Sequence, residues 1–239
     1  MSYSSDYFTT RESWRDWRIE AHWLIEHSRI AENSSVLEIG CGGGGLLRML
    51  RERGASAVGV DTLETALELA RAVSLRGAKY ATKQSPNSTL DANAASQRPL
   101  AMTFVRIGED TTLPFRDASF DAIIAQHAIE HLPDVDVALR EWKRLLKPNG
   151  RIALATPNAF YPDPAHFADA DHAHIFTAQE LRETVERAGF GVELCCTIFP
   201  FLSHVRALRA FGVMAYRIFQ HAPYFDSHGR TILLGARKS

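Results

Sequence analysis

The chain has 239 residues, enough for one large domain or one domain carrying an insertion. Its 27 Lys and Arg nearly balance 28 Asp and Glu, so bulk charge supplies no attraction to nucleic acid, which needs clustered basic residues. No apolar run reaches the ~18 residues of a membrane span, and the mixed-charge stretch Met1 to Arg18 lacks the apolar core of a secretory signal. The cysteines, Cys41, Cys195 and Cys196, are odd in number and two are adjacent, which fits a reducing compartment better than a disulfide framework. The expectation is a cytoplasmic protein without stable membrane insertion.

Helix-like and strand-like patterns alternate from residue 11 onward, which predicts an α/β protein with a mostly parallel sheet. Arg11 to Ile30 reads as one helix, with Trp14, Trp17, Ala21 and Leu24 on one face. Val36 to Ile39 reads as a buried strand, Leu46 to Arg53 as a helix closed by Gly54, and Ala57 to Val60 as a second strand ending at Asp61. Thr62 to Ser74 carries a helical stripe of Leu63, Ala66, Leu67, Ala70 and Val73. Residues 80–101 are rich in Ser, Asn, Gln and Ala without sustained period and read as a surface insertion.

Strands are predicted again at Thr103 to Ile107 and Phe120 to Ala125, then an amphipathic helix from Val135 to Leu146 stopped by a Pro148-Asn149-Gly150 turn. A strand follows at Arg151 to Ala155. Thr177-Ala-Gln-Glu180 is a capping box opening a helix that ends at Gly189. Val192 to Ile198 and Thr231 to Ala236 read as the last strands. A single domain over residues 1–239 results, with residues 1–34 as an N-terminal helical cap and 199–228 as a lid-like helical insert.

The most constraining stretch is Val36-Leu-Glu-Ile-Gly-Cys-Gly-Gly-Gly-Gly45, an apolar strand that ends in an acid and breaks into glycines. Glycine lets the backbone approach a ligand closely and adopt positive φ. A strand, a glycine turn and a helix start make a nucleotide-type cradle, with N–H groups expected to face the ligand. Gly40, Gly42 and Gly45 satisfy Gly-x-Gly-x-x-Gly, while Gly40, Gly42 and Gly44 satisfy Gly-x-Gly-x-Gly. The glycines alone therefore leave NAD and other adenosine ligands open. Asp61 stands near the ~20-residue offset at which a carboxylate meets a ribose diol; capping of the helix after Thr62 is its alternative use. Glu38 lies inside an apolar strand, where a buried carboxylate needs a donor or a cationic partner. A pyrophosphate would worsen that position and a cationic zwitterion would improve it.

With these residues the chain resembles the class I S-adenosylmethionine-dependent methyltransferases, whose signature is Val-Leu-Asp/Glu-x-Gly-Cys-Gly-x-Gly. The resemblance continues through Ile107-Gly-Glu-Asp-Thr-Thr-Leu-Pro-Phe115, Ser119-Phe-Asp-Ala-Ile-Ile124 and Leu145-Leu-Lys-Pro-Asn-Gly-Arg151. It implies a Rossmann-like, doubly wound, mostly parallel seven-stranded sheet with helices on both faces. It also implies that Gly40, Gly42 and Gly44, with Cys41 among them, border the methionine and ribose portions. By the same resemblance Glu38 holds the amino group, Asp61 with Thr62 clamps the ribose, Glu109 or Asp110 reads adenine, and Gln126 closes over the methionine end. A carboxylate pair replaces the family's more usual Asp and small residue at 109 and 110.

Gln126-His-Ala-Ile-Glu-His-Leu-Pro-Asp134 follows the fourth strand, and His127, Glu130 and His131 would share a face if helical. His-x-x-Glu-His also occurs in inverted zinc peptidases, but this segment is short and ends at Pro133. The resemblance is closer to ubiquinone-pathway O-methyltransferases, which carry Glu-x-x-Glu-His here; the histidine at 127 departs from that pattern, and no metal is assigned. His166, Asp171, His172 and His174 precede the capping box, where related enzymes line the acceptor pocket. Removing an acceptor proton suits imidazole, so His131, His172 and His174 are the candidate catalytic bases; helix capping and loop hydrogen bonding are their bland alternatives. Aromatic residues crowd both ends of the chain, either as core or as a cover over an apolar acceptor. Ser203 to His221 is amphipathic with Arg206, Arg209 and Arg217, a pattern that a membrane surface would also accept. The reading is methyl transfer to a small-molecule acceptor, most directly at oxygen, with nitrogen or carbon methylation, a non-catalytic cofactor-binding protein and an NAD-dependent oxidoreductase as alternatives. Oligomeric state is left open.

Overall fold

A computed structural model of the chain describes residues 5–77, 102–107, 112–161, 171–199, 211–212, 214 and 225–239. The 80–101 insertion, His166 and most of the 199–228 insert lie outside the described residues, as do Glu109 and Asp110. Five strands run parallel: β1 (Ser35–Ile39), β2 (Ser56–Asp61), β3 (Met102–Arg106), β4 (Phe120–Gln126) and β5 (Leu146–Pro157). The sheet is completed by β6 (Phe190–Ile198) and β7 (Thr231–Lys238), with β7 antiparallel to both β5 and β6. The order is β3-β2-β1-β4-β5-β7-β6. Strand order reverses between β1 and β4, and in open α/β sheets the crevice beyond the carboxyl ends of those strands is where ligands bind.

The helices are α1 (Ser5–Glu12), α2 (Arg15–His27), α3 (Gly45–Glu52), α4 (Glu64–Gly77), α5 (Val135–Leu145), α6 (Ala178–Arg187) and the single turn α7 (Phe225–His228). Because side chains alternate along a strand, Val36, Ala57, Ile124 and Ala153 pack on one face with Leu24 of α2 and Leu46 and Leu50 of α3. Leu37, Val58, Ile123 and Ile152 pack on the other with Leu139 and Trp142 of α5 and Leu181 and Val185 of α6. The central strands are covered on both sides and so read as continuous apolar runs. None of the helices in the described residues is long and apolar enough to cross a membrane.

Two expected elements are redrawn. The predicted Arg11 to Ile30 helix is two helices, broken at Ser13–Trp14. Ser13 Oγ donates to the Thr10 carbonyl at 2.6 Å, and Trp14 turns extended with φ −76° and ψ 142°. Hydroxyl back-bonding of this kind competes with the helix ladder. The Pro148-Asn149-Gly150 turn lies inside β5 rather than before it. Phe120 pairs with Leu146 and Ala122 with Arg151, so the intervening residues form a bulge with Asn149 at φ 63°. The Thr177–Glu180 capping box forms with both hydrogen bonds present, and Gly189 ends that helix region at φ 83°.

Candidate active site

The turn after β1 is built as the sequence requires, with Gly40, Gly42 and Gly44 at φ 69°, 50° and 77°. Most of its N–H groups, however, donate inside the protein. Gly40 and Cys41 N–H donate to the Val60 carbonyl at 2.9 and 3.1 Å, and Gly44 N–H to Cys41 at 2.9 Å. Gly42 N–H donates to Asp61 Oδ2 at 2.9 Å. At the start of α3, Gly45 N–H donates to Glu12 Oε1 at 3.0 Å. The expectation of N–H groups facing a ligand is therefore corrected for Gly40, Cys41, Gly42 and Gly44. The Glu12 carboxylate already occupies the helix N-terminus, so the turn disfavours phosphate.

Glu38 is buried at 3% exposure, and its Oε2 has no hydrogen-bond partner among the described residues. Burial, reinforced by the charges of Glu12 and Asp61, pushes its carboxyl well above the usual range, against a smaller opposing pull from Arg48. Asp61 serves the capping use and the loop at once: Oδ1 accepts from Leu63 N–H at 2.9 Å while Oδ2 holds Gly42. Burial raises its carboxyl also. Each oxygen keeps a lone pair for a ribose hydroxyl. Thr62 is exposed beside it. Cys41 is turned away from the crevice: its side chain lies where a Cβ on Gly59 would approach to 2.8 Å, and burial raises its thiol.

Beyond β4 the chain turns sharply, with His127 at φ 53° and its N–H donating to Ala155 at 2.8 Å. Positions 127 to 131 do not form one helix; only Ile129–His131 makes a 3-10 turn. His127 stands between two buried acids. Its Nε2 is 3.0 Å from Glu20 Oε2 and its Nδ1 3.4 Å from Glu130 Oε1. Carboxylates facing both nitrogens favour the protonated ring, with the hydrogen bond made to Glu20 and Glu130 Oε1 left without a hydrogen-bond partner among the described residues. Burial opposes that charge, but Glu20 and Glu130 outweigh it and raise the pKa. Glu20 also accepts from the Gln126 amide at 3.2 Å and from the Thr231 hydroxyl at 2.8 Å, while Thr156 donates to Glu130 Oε2 at 3.0 Å. Burial alone would raise Glu20; His127, Thr231 and Gln126 together hold it at about 2.

Glu20 is the residue that sequence reading missed. It lies one position before Ala21 and four before Leu24, in register with the apolar stripe of α2, and a charge on such a stripe is the available signal. Gln126, expected over the methionine end, is 6% exposed and tied to α2 through Glu20 and the Trp17 carbonyl.

The histidines gather at the same end. His131 Nδ1 donates to the Asp171 carbonyl at 3.0 Å, which fixes the proton on Nδ1 and leaves the Nε2 lone pair available when the ring is neutral. The His131 and His172 rings lie 4.9 Å apart. Ala173 and His174 N–H groups donate to the Glu130 carbonyl at 2.8 and 3.0 Å, locking the 172–174 segment onto the 3-10 turn. His174 stacks on Phe176, and its Nε2 is buried without a hydrogen-bond partner among the described residues. Glu130, His131 and His172 bring ligand-type atoms within 4.8 Å of one another; the grouping weighed from sequence, with His127 in place of His172, does not form because His127 is held by Glu20.

A family model described as a methyltransferase domain matches residues 10–194. The chain belongs to this family, the class I S-adenosylmethionine-dependent methyltransferases, and its seven-stranded sheet has their Rossmann-like form. Among curated proteins it is 28% identical over 140 residues to a ubiquinone biosynthesis O-methyltransferase of Pseudomonas paraeruginosa, covering 59% of this chain and 51% of that protein. The chain thus spans about half the length of the curated relatives it matches. A methyltransferase structure from Mesorhizobium loti superposes with a TM-score of 0.64 at 20% identity, covering 95% of this chain and 100% of that one. Phosphoethanolamine N-methyltransferase 2 of Haemonchus contortus, in complex with S-adenosylmethionine, gives 0.66 at 16% identity over 99% of this chain and 57% of that one. These last two likenesses speak for the fold.

Proposed function

We propose that this chain transfers a methyl group from S-adenosylmethionine to an oxygen of a small-molecule acceptor. The single observation that carries the oxygen assignment is His131, whose Nδ1–H is pinned on Asp171 so that Nε2 can accept a proton, with the His172 ring 4.9 Å away. The curated relatives, named as O-methyltransferases, support the same reaction.

The fit to the cofactor rests on two features. Glu38 Oε2 is a buried acceptor lacking a donor, which an ammonium would supply, and Asp61 keeps a lone pair on each oxygen beside the glycine turn. S-adenosylmethionine, when bound, supplies a sulfonium methyl open to in-line displacement. Glu38 would receive its amino group, Asp61 its ribose hydroxyls, and the Glu109–Asp110 pair its adenine. Gln126 and the network behind it would fix the wall beside the methyl. His131 would take the hydroxyl proton of the acceptor as the oxygen attacks, with His172 and His174 shaping the pocket around it. Most of the rate would come from positioning, since displacement at a sulfonium needs little covalent help.

Two measurements test this reading. Asp61→Ala is expected to weaken S-adenosylhomocysteine binding about 10- to 100-fold, the value of one or two charge-assisted hydrogen bonds; calorimetric affinity equal to wild type would remove Asp61 from the ribose site. His131→Ala is expected to lower kcat about 10²- to 10⁴-fold with S-adenosylhomocysteine affinity unchanged. A near-wild-type rate would retire His131 as the base, and loss of the wild-type rate on chelation would move the role of this group to a bound cation.

A further inference from the structure

The 3-10 turn Ile129–His131 has three residues and cannot hold its own shape. It is closed by His131 N–H on the Ala128 carbonyl at 3.2 Å and Leu132 N–H on the Ile129 carbonyl at 3.3 Å, and hydrogen-bond geometry in such turns is poor. Residues 171–174, on the facing segment, belong to no helix or strand. The placement of His131 against His172, whose rings lie 4.9 Å apart, therefore comes from anchors outside both pieces.

Glu130 supplies such anchors from its two ends. The residue is 1% exposed, and its Oε2 accepts from the Thr156 hydroxyl at 3.0 Å, which fixes it to β5. Oε1 faces His127 Nδ1 at 3.4 Å. The Glu130 main-chain carbonyl accepts from Ala173 and His174 N–H at 2.8 and 3.0 Å, while the next residue, His131, donates from Nδ1 to the Asp171 carbonyl. Residues 130 and 131 thus grip the segment on both sides of His172. Thr156 is wholly buried, so water does not compete for this anchor, and a hydrogen bond to a charged group counts for most there. Burial works against the Glu130 charge, yet the His127 ring beside it keeps the carboxyl below its ordinary range.

We propose that Glu130 and Thr156 are positioning residues for the reaction. The Thr156 hydroxyl fixes the Glu130 carboxylate to β5, and the Glu130 carbonyl fixes residues 172–174 to the turn. Together they hold the His131 ring so that Nδ1 stays on Asp171 and Nε2 is left to take the acceptor's proton. This rests on the reading of His131 as the base, and both residues act through His131 rather than on the cofactor.

The test reads the tautomer of each histidine ring from long-range proton–nitrogen correlation spectra at about pH 8.5, where ordinary imidazole is neutral. His131 and the exposed His22 of α2 are assigned by substitution. Wild-type His131 is expected in the Nδ1–H form. Glu130→Ala, and Thr156→Val, which keeps the shape but lacks the hydroxyl, are expected to move His131 toward the Nε2–H form that free histidine prefers. The tautomer ratio should fall about 3- to 10-fold, the value of one hydrogen bond. Thr156→Ser restores it. His22 does not move, and calorimetric affinity for S-adenosylhomocysteine equals wild type. Thr156→Val carries the test if Glu130→Ala does not fold. An unchanged His131 ratio in Thr156→Val overturns the proposal, as does an equal shift at His22, a loss of S-adenosylhomocysteine affinity as large as the tautomer shift, or no recovery in Thr156→Ser. A wild-type ratio that changes on adding a chelator also overturns it, because a bound cation then orients the ring. If wild-type His131 is already in the Nε2–H form, the base assignment itself falls, a result distinct from failure of Glu130 and Thr156.

Discussion

Glu20→Ala is expected to destabilise the fold by about 3–5 kcal/mol, because it removes the carboxylate hydrogen-bonded to the partly buried His127 ring. The loss reaches beyond the ion pair, since the Thr231 hydroxyl loses its acceptor and the Gln126 amide keeps only the Trp17 carbonyl. Urea unfolding measures it, and a change below ~1 kcal/mol would mean that water replaces the carboxylate. The acid limb of stability gives a second readout. Glu20 titrates at about 2 in the folded chain against an ordinary 4.5. A depressed carboxyl contributes stability that is present above 4.5 and is lost as pH falls toward 2. That drop of roughly 2.5 units corresponds to about 3 kcal/mol. Glu20→Gln keeps the shape and removes the charge, so its stability should fall less steeply over that window. His127 contributes with the opposite sign: its raised pKa means that its share is present below its ordinary value near 6.5 and fades as pH rises through the folded value.

The second large effect is expected at Gly40. Its φ of 69° strains any other L-residue, at about 1–2 kcal/mol, and a Cβ there would stand 2.8 Å from the Ala128 Cβ. Both atoms are fixed to backbone, so neither can swing aside. Gly40→Ala should therefore cost about 2–4 kcal/mol from strain and overpacking combined. Ala128→Gly in the same chain should relieve the clash and leave only the φ cost. If the double variant is no more stable than Gly40→Ala, the contact between the β1 and β4 turns is not the cause.

The parts of this molecule that the sequence makes legible are those whose cause is local. The Thr177 capping box, the Gly189 stop and the run of buried strands each depend on residues a few positions apart, and each forms as expected. Glu38 was readable because a charge inside an apolar strand is rare enough to demand a partner. Local signals also misled. Pro148-Asn149-Gly150 has the composition of a turn, yet strand pairing on either side absorbs it as a bulge. Glu20 was hidden for the opposite reason: a glutamate on a helix looks solvated until His127, 107 positions away, closes over it. The histidines were readable as a group, but only the fold pairs His131 with His172 and commits His127 to the acids.

The hydroxyl of Thr231 donates to Glu20 across 211 positions of sequence. During synthesis the acid emerges early and its donor among the final residues of the sheet. Strand β7 is also the one that ties β6 to the rest, so its insertion closes the longest loop in the fold, the slow kind of step in a non-local topology. A nascent chain that still lacks β7 can form the glycine turn and pair β1 with β2 and β4, but its α2 carries a carboxylate short of one partner. The Glu20–His127 network is thus completed only when β7 is in place.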